Sequence, residues 1–296
     1  MSASQFVPKN LLIVGATGWL GSQITTEILK NKSFHVKVLA RKETQEKKKD
    51  LIENFKSHGA VIVDGDLNNV DSLVSALQNV DTVVSVLGSA QIAEQFPLIE
   101  AAKKVPSVKR FVPSEYGVDT SNLSSDSLLY GKAQVRKAIE EAGLEYTYII
   151  TGFFYEFFTS PAFGFDHEKG ELHLGGTGDE VFIATHTSDI AKFLPEILLD
   201  PRSRNENIVI QGERVTLNQV VKIFEQVSGK HFKVTYYSLD QLKKQIDEAE
   251  GFAKFLPYLK SLVFTQSVNP PKNHSSRYSV HPISVKQYAE SLHKKQ

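Results

Sequence analysis

Short runs of apolar residues alternate with segments of helical spacing through the first half of the 296-residue chain. Leu20, Ile24 and Ile28 illustrate the helical spacing, because residues four apart lie on one face of a helix. The apolar runs are typical of parallel strands that are covered on both faces. They predict strands at residues 10–14, 35–39, 60–63, 82–86, 110–112 and 146–150. This alternation of strands and helices predicts an α/β protein built on a doubly wound parallel sheet.

The pattern changes after residue 151. Residues 152–166 are rich in aromatic side chains and show no helical period, and residues 171–185 hold three glycines between two strand-like pieces, as in a β-hairpin. The polar, proline-containing stretch 268–296 is expected to be a wrapping tail. We therefore expect a first domain at residues 1–151, to which later strands could add, and a smaller C-terminal α/β domain at residues 152–296.

Three helices are predicted in this second half. They are expected to begin near Thr187, Thr216 and Ser238. Thr216 and Ser238 are each followed three residues later by glutamine, which completes a capping box that satisfies otherwise unpaired backbone amides.

Residues 11–21 (LLIVGATGWLG) form the most informative motif. They place Gly15, Gly18 and Gly21 directly after the first predicted strand and at the start of the first predicted helix. Glycine permits a tight turn, lets the backbone approach a pyrophosphate and allows the helix to pack close to the strand. Helix N-terminal amides also favour phosphate. The motif predicts a Rossmann-type dinucleotide site, and a glycine turn without a ligand is the alternative.

The end of the second predicted strand indicates which dinucleotide binds. NAD-specific sites usually carry a carboxylate there for the ribose 2′-hydroxyl, but this chain has Arg41 and Lys42. Arginine binds a 2′-phosphate through two hydrogen bonds, which favours NADP(H). Alternatively, both cations only begin a solvated helix. Asp66, after the third strand, is assigned either to the adenine or to a turn.

Three further residues are assigned to the cofactor site because ligands of open α/β sheets bind beyond the carboxyl ends of the strands. Leu87 and Gly88 follow the fourth predicted strand, and Phe153 follows the sixth. Phe153 would lie where the nicotinamide ring and the substrate are expected.

The catalytic group is not the usual one of short-chain dehydrogenases. None of the 10 tyrosines is followed by lysine four residues later, so the Tyr-x-x-x-Lys pair is absent. The helix predicted from Tyr130 instead carries Lys132 near its start, and Arg136 with Glu140 four residues on, as in a helical ion pair. A lysine partly buried beside nicotinamide would have a lowered pKa and could transfer protons near neutrality. The alternative is an exposed surface lysine.

Residues 108–119 (VKRFVPSEYGVD) resemble the signature of the isoflavone reductase-like proteins, which are atypical short-chain dehydrogenases close to the NmrA-like proteins. Residues 132–140 resemble the segment that bears the catalytic lysine of that family, and Gln95 matches its glutamine ahead of the fifth strand. The resemblance implies a reductase that uses NADPH on small, often aromatic substrates. Carried across, the phosphate loop corresponds to Thr17, Gly18, Trp19 and Leu20, the 2′-phosphate clamp to Arg41, and the general acid/base to Lys132.

Seven aromatic side chains lie between Phe153 and Phe165. Aromatic walls suit a flat apolar ligand, and the alternative is a core that links the two halves. Tyr116, Phe154, Tyr155 and Phe158 are assigned to the substrate site.

Composition narrows the function classes. The 34 basic and 34 acidic residues cancel, which disfavours a nucleic-acid partner, and the chain has no cysteine, which excludes disulfides and thiolate catalysis. The nine histidines show no metal-ligand spacing. With no apolar run of membrane-spanning length and no signal peptide, a cytoplasmic protein that acts on a small molecule is expected. A non-catalytic NADP(H) sensor of the NmrA kind, which binds a protein partner, is the alternative to the reductase.

Overall fold

A computed structural model describes residues 6–121, 123–266 and 273–293. The strands are β1 (Asn10–Val14), β2 (His35–Leu39), β3 (Val61–Val63), β4 (Thr82–Ser85), β5 (Arg110–Val112), β6 (Glu145–Ile150), β7 (Phe153–Phe154), β8 (Phe165–Asp166), β9 (Glu171–Gly175), β10 (Phe182–Thr185), β11 (Glu206–Val209), β12 (Glu213–Val215) and β13 (Lys233–Tyr237). The helices are α1 (Trp19–Lys30), α2 (Lys42–Lys47), α3 (Lys49–Ser57), α4 (Val70–Ala76), α5 (Gln95–Lys104), α6 (Tyr130–Glu141), α7 (Thr187–Leu199), α8 (Leu217–Ser228), α9 (Leu239–Glu248), α10 (Phe255–Gln266) and α11 (Val285–His293). The six strands expected in the first half are present as β1 to β6.

The largest sheet has seven strands in the order β11-β6-β5-β4-β1-β2-β3. β1 pairs in parallel with both β2 and β4, and the pairs β2–β3, β4–β5 and β5–β6 are also parallel. The direction of winding therefore reverses between β1 and β4, which is the point where ligands bind in doubly wound sheets. The expected fold class is confirmed.

Burial along β1 explains why this strand is central. Leu12 and Val14 pack into an apolar cluster with Leu73 of α4 and Leu98 of α5. Leu11 and Ile13 point to the opposite face, because side chains alternate along a strand, and they are also buried. The sheet is thus covered on both faces, as the continuous apolar runs predicted.

The described residues divide into two compact units. The first contains the residues up to Tyr116 together with Thr120–Ile150 and Ile190–Ile208, and the second contains the remainder. The division after Ile150 lies next to the expected boundary at residue 151. The second unit is nevertheless interrupted, unlike the continuous 152–296 expected from the sequence, because β11 joins the first sheet beside β6.

Residues 171–185 do not form the expected β-hairpin. β9 pairs with β13 and β8, whereas β10 pairs with β12 and β7 in a separate sheet. Between them, Gly176 and Gly178 have φ values of 84° and 87°. The Glu180 carboxylate accepts hydrogen bonds from the backbone N–H of Thr177 at 2.9 Å and of Gly178 at 3.0 Å. The glycines therefore form a loop that leads from one sheet to another.

The three helix starts in the second half are confirmed. α7 begins at Thr187, and complete capping boxes precede α8 at Thr216 and α9 at Ser238. The expected wrapping tail is wrong for residues 285–293, which form α11 with Val285 and Tyr288 buried. Apolar residues at helical spacing give α11 a face to bury. Residues 268–272 and 294–296 of that stretch lie outside the described part.

No helix within the described residues is long and apolar enough to cross a membrane.

Candidate active site

The glycine turn lies where the winding of the first sheet reverses. Gly15 has a φ of 79°, and a Cβ on it would lie 2.3 Å from the carbonyl oxygen of Val86, which follows β4. A Cβ on Gly21 would lie 2.0 Å from the carbonyl oxygen of Gly15. A side chain at position 15 would collide with the backbone that follows β4. A side chain at position 21, in α1, would collide with the backbone of the glycine turn.

The N-terminus of α1 suits an anionic group. Gly18 is the N-cap, no side chain caps this end, and the first turn contains no acidic residue. Trp19 is 54% exposed, whereas Leu20 is buried, so the Leu20 side chain belongs to the core. Thr17 is half-buried beside them. Backbone amides and the helix dipole at a helix N-terminus attract phosphate.

Basic side chains follow the neighbouring strand. Arg41 is the N-cap of α2 and Lys42 is its first residue, and both are exposed. β2 pairs with β1, so these cations lie at the same edge of the sheet as the glycine turn. The donor set fits a dinucleotide with an extra phosphate on its ribose. Asp66 closes a turn, because its Oδ1 accepts a hydrogen bond from the backbone N–H of Asn68 at 3.1 Å.

Hydrogen bonds tie the end of β4 to the segment after β5. The Ser114 hydroxyl donates to the carbonyl oxygen of Leu87 at 2.5 Å. The backbone N–H of Ser114 donates to Oε1 of Gln95 at 2.9 Å, and Gln95 is buried at the start of α5. Gly88 caps the short 3-10 turn that precedes α5. Ser114 therefore links the two strand ends, and Gln95, the glutamine singled out by the resemblance, ties this segment to the start of α5.

Lys132 lies in the first turn of α6 and is 7% exposed. Its Nζ donates a hydrogen bond to the carbonyl oxygen of Glu115. Burial lowers the pKa of Lys132, the Glu115 carboxylate opposes this shift, and the neighbouring Arg136 guanidinium adds to it. The side chain is thus a buried amine, and the surface alternative does not apply.

Arg136 does not pair with Glu140, as the helical spacing suggested. Its Nε and Nη2 donate to the two carboxylate oxygens of Glu115 at 2.7 and 2.8 Å, and both side chains are buried. The guanidinium also lies over the ring of Tyr148, 4.7 Å from its centroid. Glu140 instead accepts a hydrogen bond from the Tyr148 hydroxyl at 3.0 Å. No role was assigned to Glu115 from the sequence. The available signal was the spacing of Lys132 and Arg136, which are one helical turn apart on α6 and both contact Glu115.

The Tyr116 hydroxyl is buried and has no hydrogen-bond partner among the described residues. Burial raises the pKa of this hydroxyl. Because buried polar groups are normally satisfied, this hydroxyl is suited to contact a ligand.

The aromatic segment of the second unit contributes to an apolar cavity of about 410 Å³, counting the space open to solvent. Its aromatic lining consists of Phe153, Phe157, Phe158, Phe163, Phe165 and Phe182. Leu217 of α8 and Leu259, Lys260 and Val263 of α10 complete much of the remaining wall.

The cavity includes only some of the aromatic residues assigned from the sequence. Phe153 and Phe158 line it. Tyr155 is fully buried in the core, and its hydroxyl donates to the carbonyl oxygen of Ile283 at 3.1 Å. Phe154 packs against Phe157 outside the lining, with ring centroids 5.3 Å apart. Some of these aromatic rings therefore line a cavity, and others belong to the core.

The fold and the first-unit site define a doubly wound dinucleotide-binding protein with a buried lysine. No cluster of side chains in the described segments could hold a metal ion. A model of the NmrA-like family matches residues 8–280, and the chain belongs to that family. The resemblance seen in the sequence is confirmed.

Relatives and solved structures agree with this membership. The chain is 33% identical to isoflavone reductase homolog P3 of Arabidopsis thaliana over 254 residues, which cover 81% of this chain and 82% of the relative. It is 32% identical to phenylcoumaran benzylic ether reductase IRL1 of Ginkgo biloba over 259 residues, 81% of this chain and 82% of the relative. The solved structure described as "AtPrR2 with NADP+ and (+)pinoresinol" superposes with a TM-score of 0.84 at 25% identity and covers 97% of this chain and 99% of that one.

Proposed function

We propose that the protein is an NADP(H)-dependent reductase of a small aromatic substrate with a conjugated carbonyl-type group, and that Lys132 is its general acid/base. The observation that carries this proposal is the buried Lys132 amine, whose pKa burial lowers. The relatives support the reaction class, since they include reductases by name and a structure recorded with NADP+.

The cofactor contacts follow from the edge of the first sheet. The amides of the glycine turn and of the α1 N-terminus hold the pyrophosphate, with Gly15, Gly18 and Gly21 providing the space. Arg41, assisted by Lys42, binds the 2′-phosphate. The dinucleotide supplies a hydride when it is bound. The alternative of an unliganded glycine turn leaves the exposed cations beside it without a role.

Lys132 moves the proton. Its Nζ is held by the Glu115 carbonyl oxygen, so the ammonium has a fixed orientation. A lysine with a lowered pKa is a stronger acid than an ordinary lysine, and it can give its proton to a substrate oxygen or carbon that becomes more basic during reduction. Tyr116 offers a second donor for the substrate, since its buried hydroxyl has no hydrogen-bond partner among the described residues.

Oxidation of NADPH tests this assignment across a panel of aromatic enones, aldehydes and quinones. Replacing Lys132 by Ala is expected to lower kcat by about 10²- to 10⁴-fold, the usual contribution of a positioned proton donor. NADPH affinity should change by less than about threefold, since the phosphate contacts remain. In the wild type, kcat should fall as the pH rises through the Lys132 pKa, which burial places below 10.5.

The same assay tests the sensor alternative, which needs the cofactor site but not Lys132. Tight NADPH binding with no oxidation of any compound would favour a sensor that acts through a protein partner. Full activity of Lys132→Ala on a good substrate would contradict the mechanism. A Lys137→Ala control, which changes an exposed lysine of the same helix, should behave as the wild type.

A further inference from the structure

Glu115 contacts two basic residues of α6. Lys132 and Arg136 lie four residues apart, so their side chains share one face of the helix. The Lys132 Nζ donates a hydrogen bond to the backbone carbonyl oxygen of Glu115, and the Arg136 guanidinium binds its carboxylate. A single residue of the segment after β5 therefore joins the proposed proton donor to a buried ion pair.

The Glu115 carbonyl oxygen is held in place because each polar group of this residue is hydrogen-bonded. Its backbone N–H donates to the carbonyl oxygen of Pro113 at 2.8 Å. Its carboxylate oxygens accept from Nε and Nη2 of Arg136, and Oε2 also accepts from the Thr120 hydroxyl at 3.3 Å. The position of the oxygen that binds Lys132 is thus fixed by both the backbone and the side chain of Glu115.

The Arg136 guanidinium connects the ion pair to the segment that leads into α6. Its Nη1 donates to the Ser121 hydroxyl at 2.9 Å, while the Thr120 hydroxyl binds the carboxylate of the pair. The guanidinium also lies over the Tyr148 ring. A guanidinium can make these contacts together because its donors form a rigid fork, whereas a lysine ammonium is a point charge on a flexible stem. The pair therefore fixes Lys132 and the start of that segment relative to each other.

The two charges of the pair have opposite effects on the Lys132 amine. Burial is the main cause that lowers the Lys132 pKa, the Glu115 carboxylate raises it, and the Arg136 guanidinium lowers it further. Tyr116, the next residue after Glu115, adds no charge near neutral pH, because burial raises the pKa of its hydroxyl. A carboxylate alone would favour the charged lysine, and the guanidinium offsets that effect. The pair can therefore hold the carbonyl oxygen against Lys132 without preventing the amine from giving up its proton.

Stability alone does not require a charged pair at this position. Burying an ion pair carries a large desolvation cost, and apolar residues of similar volume are often at least as stabilising. The pair lies next to the buried amine and shares Glu115 with it. Its position therefore indicates a role in the chemistry of Lys132.

We propose that Glu115 and Arg136 are positioning residues for Lys132: their buried ion pair fixes the carbonyl oxygen that orients the ammonium, and its two charges balance each other beside the amine. The inference deepens the proposed function and rests on it, because a positioning role requires Lys132 to be the proton donor.

NMR of the full-length protein with ¹⁵N-labelled lysine would measure the Lys132 pKa, with Lys132→Met to assign its signal. We expect Glu115→Gln to lower this pKa below the wild-type value, because the carboxylate that raises it is lost and the guanidinium remains. A variant in which the fold had only loosened would behave oppositely, since water that enters the site moves the Lys132 pKa back up toward 10.5. The direction of the change therefore separates a role at Lys132 from a merely structural one.

Steady-state kinetics on a compound that the wild type reduces would measure the effect on catalysis. Glu115→Gln should lower kcat by about 10- to 100-fold, the usual cost of a small misplacement of a catalytic group, while KM changes by less than about threefold. The alkaline fall of kcat should also begin at a lower pH than in the wild type. Arg136→Lys keeps the charge and loses the fork, so its kcat should lie between those of the wild type and Glu115→Gln.

Glu141→Gln is the matched control, because Glu141 lies 3.6 Å from Lys137 on the same helix and its side chain is 67% exposed. Its kcat and its Lys132 pKa should equal those of the wild type. A Lys132 pKa that is unchanged or raised in Glu115→Gln would overturn the inference, and so would a wild-type kcat in that variant. If Glu115→Gln does not fold, Arg136→Lys decides: a lowered kcat with an unchanged KM supports the inference, and a wild-type kcat overturns it.

The proposed function and this inference can fail separately. The titration needs no turnover, so it decides whether the pair acts on Lys132 even if the wild type reduces no compound, a result that would overturn the proposed function. Conversely, loss of activity in Lys132→Ala together with wild-type behaviour of Glu115→Gln would support the reductase and overturn this inference.

Discussion

Lys132 is a buried amine of the first unit and Lys260 is a partly buried amine of the second, and burial lowers the pKa of both. Lys132 donates to a backbone carbonyl, and the residue that provides this carbonyl is held by a buried ion pair with Arg136. The Lys260 Nζ lies 5.8 Å from the centroid of the Tyr237 ring. The first amine is oriented before any ligand arrives, as proton transfer requires. For the second, burial lowers the pKa and no carboxylate of the described residues opposes that shift.

The largest change in stability is expected when the Arg136–Glu115 ion pair, which supports Lys132, is removed. Arg136→Met leaves the Glu115 carboxylate buried without its guanidinium, and we expect a loss of about 3–5 kcal/mol in the free energy of unfolding. Urea denaturation would measure this loss. Lys137→Met on the same helix is the control, because Lys137 is 76% exposed and lies 3.6 Å from Glu141. It should cost less than about 1 kcal/mol. Equal losses in both variants would refute the structural role of the buried pair.

A smaller effect concerns the cofactor end of the first unit. Arg41→Ala should weaken NADP+ binding by about 10- to 100-fold, because a charge-assisted hydrogen bond to the 2′-phosphate is lost. NAD+ binding should hardly change. Fluorescence titration of both dinucleotides measures the ratio, with Lys47→Ala as a control on α2, where Lys47 pairs with Glu43 at 2.6 Å. If Arg41→Ala still prefers NADP+ to the wild-type extent, Arg41 is not the clamp.

The two regions also differ in how far the sequence predicts them. Gly15, Gly21, Arg41 and Lys132 follow local patterns: a strand, a turn and the start of a helix place each of them at one sheet edge. Glu115 was not predicted as the partner of Arg136, because helical spacing favoured Glu140 and only the tertiary fold brings the segment after β5 beside α6.

The cavity of the second unit was predicted only in part. The aromatic segment was visible, but Phe182, Leu217 and Lys260 come from distant elements that no local pattern connects. Tyr155 is buried in the core because α11 covers it, with the Tyr155 and Tyr288 rings 5.9 Å apart. Residues 285–293 carry apolar side chains at helical spacing, which predicts α11. The polar composition of the stretch led instead to the prediction of a tail.

The smallest expected effect distinguishes the two lysines by stability. Lys260→Met removes a partly buried charge and keeps the aliphatic stem, so the free energy of unfolding should rise by about 1 kcal/mol near neutral pH. Burial lowers the Lys260 pKa, so the wild type bears this cost while the amine is charged and loses it as the pH rises through that pKa, below 10.5. The gain should therefore shrink in alkaline buffer. Lys132→Met should give no such gain, because it leaves the Glu115 carbonyl oxygen without its donor. Thermal unfolding of both variants at neutral and alkaline pH measures the difference, and a stability loss in Lys260→Met equal to that in Lys132→Met would show that both amines are structural.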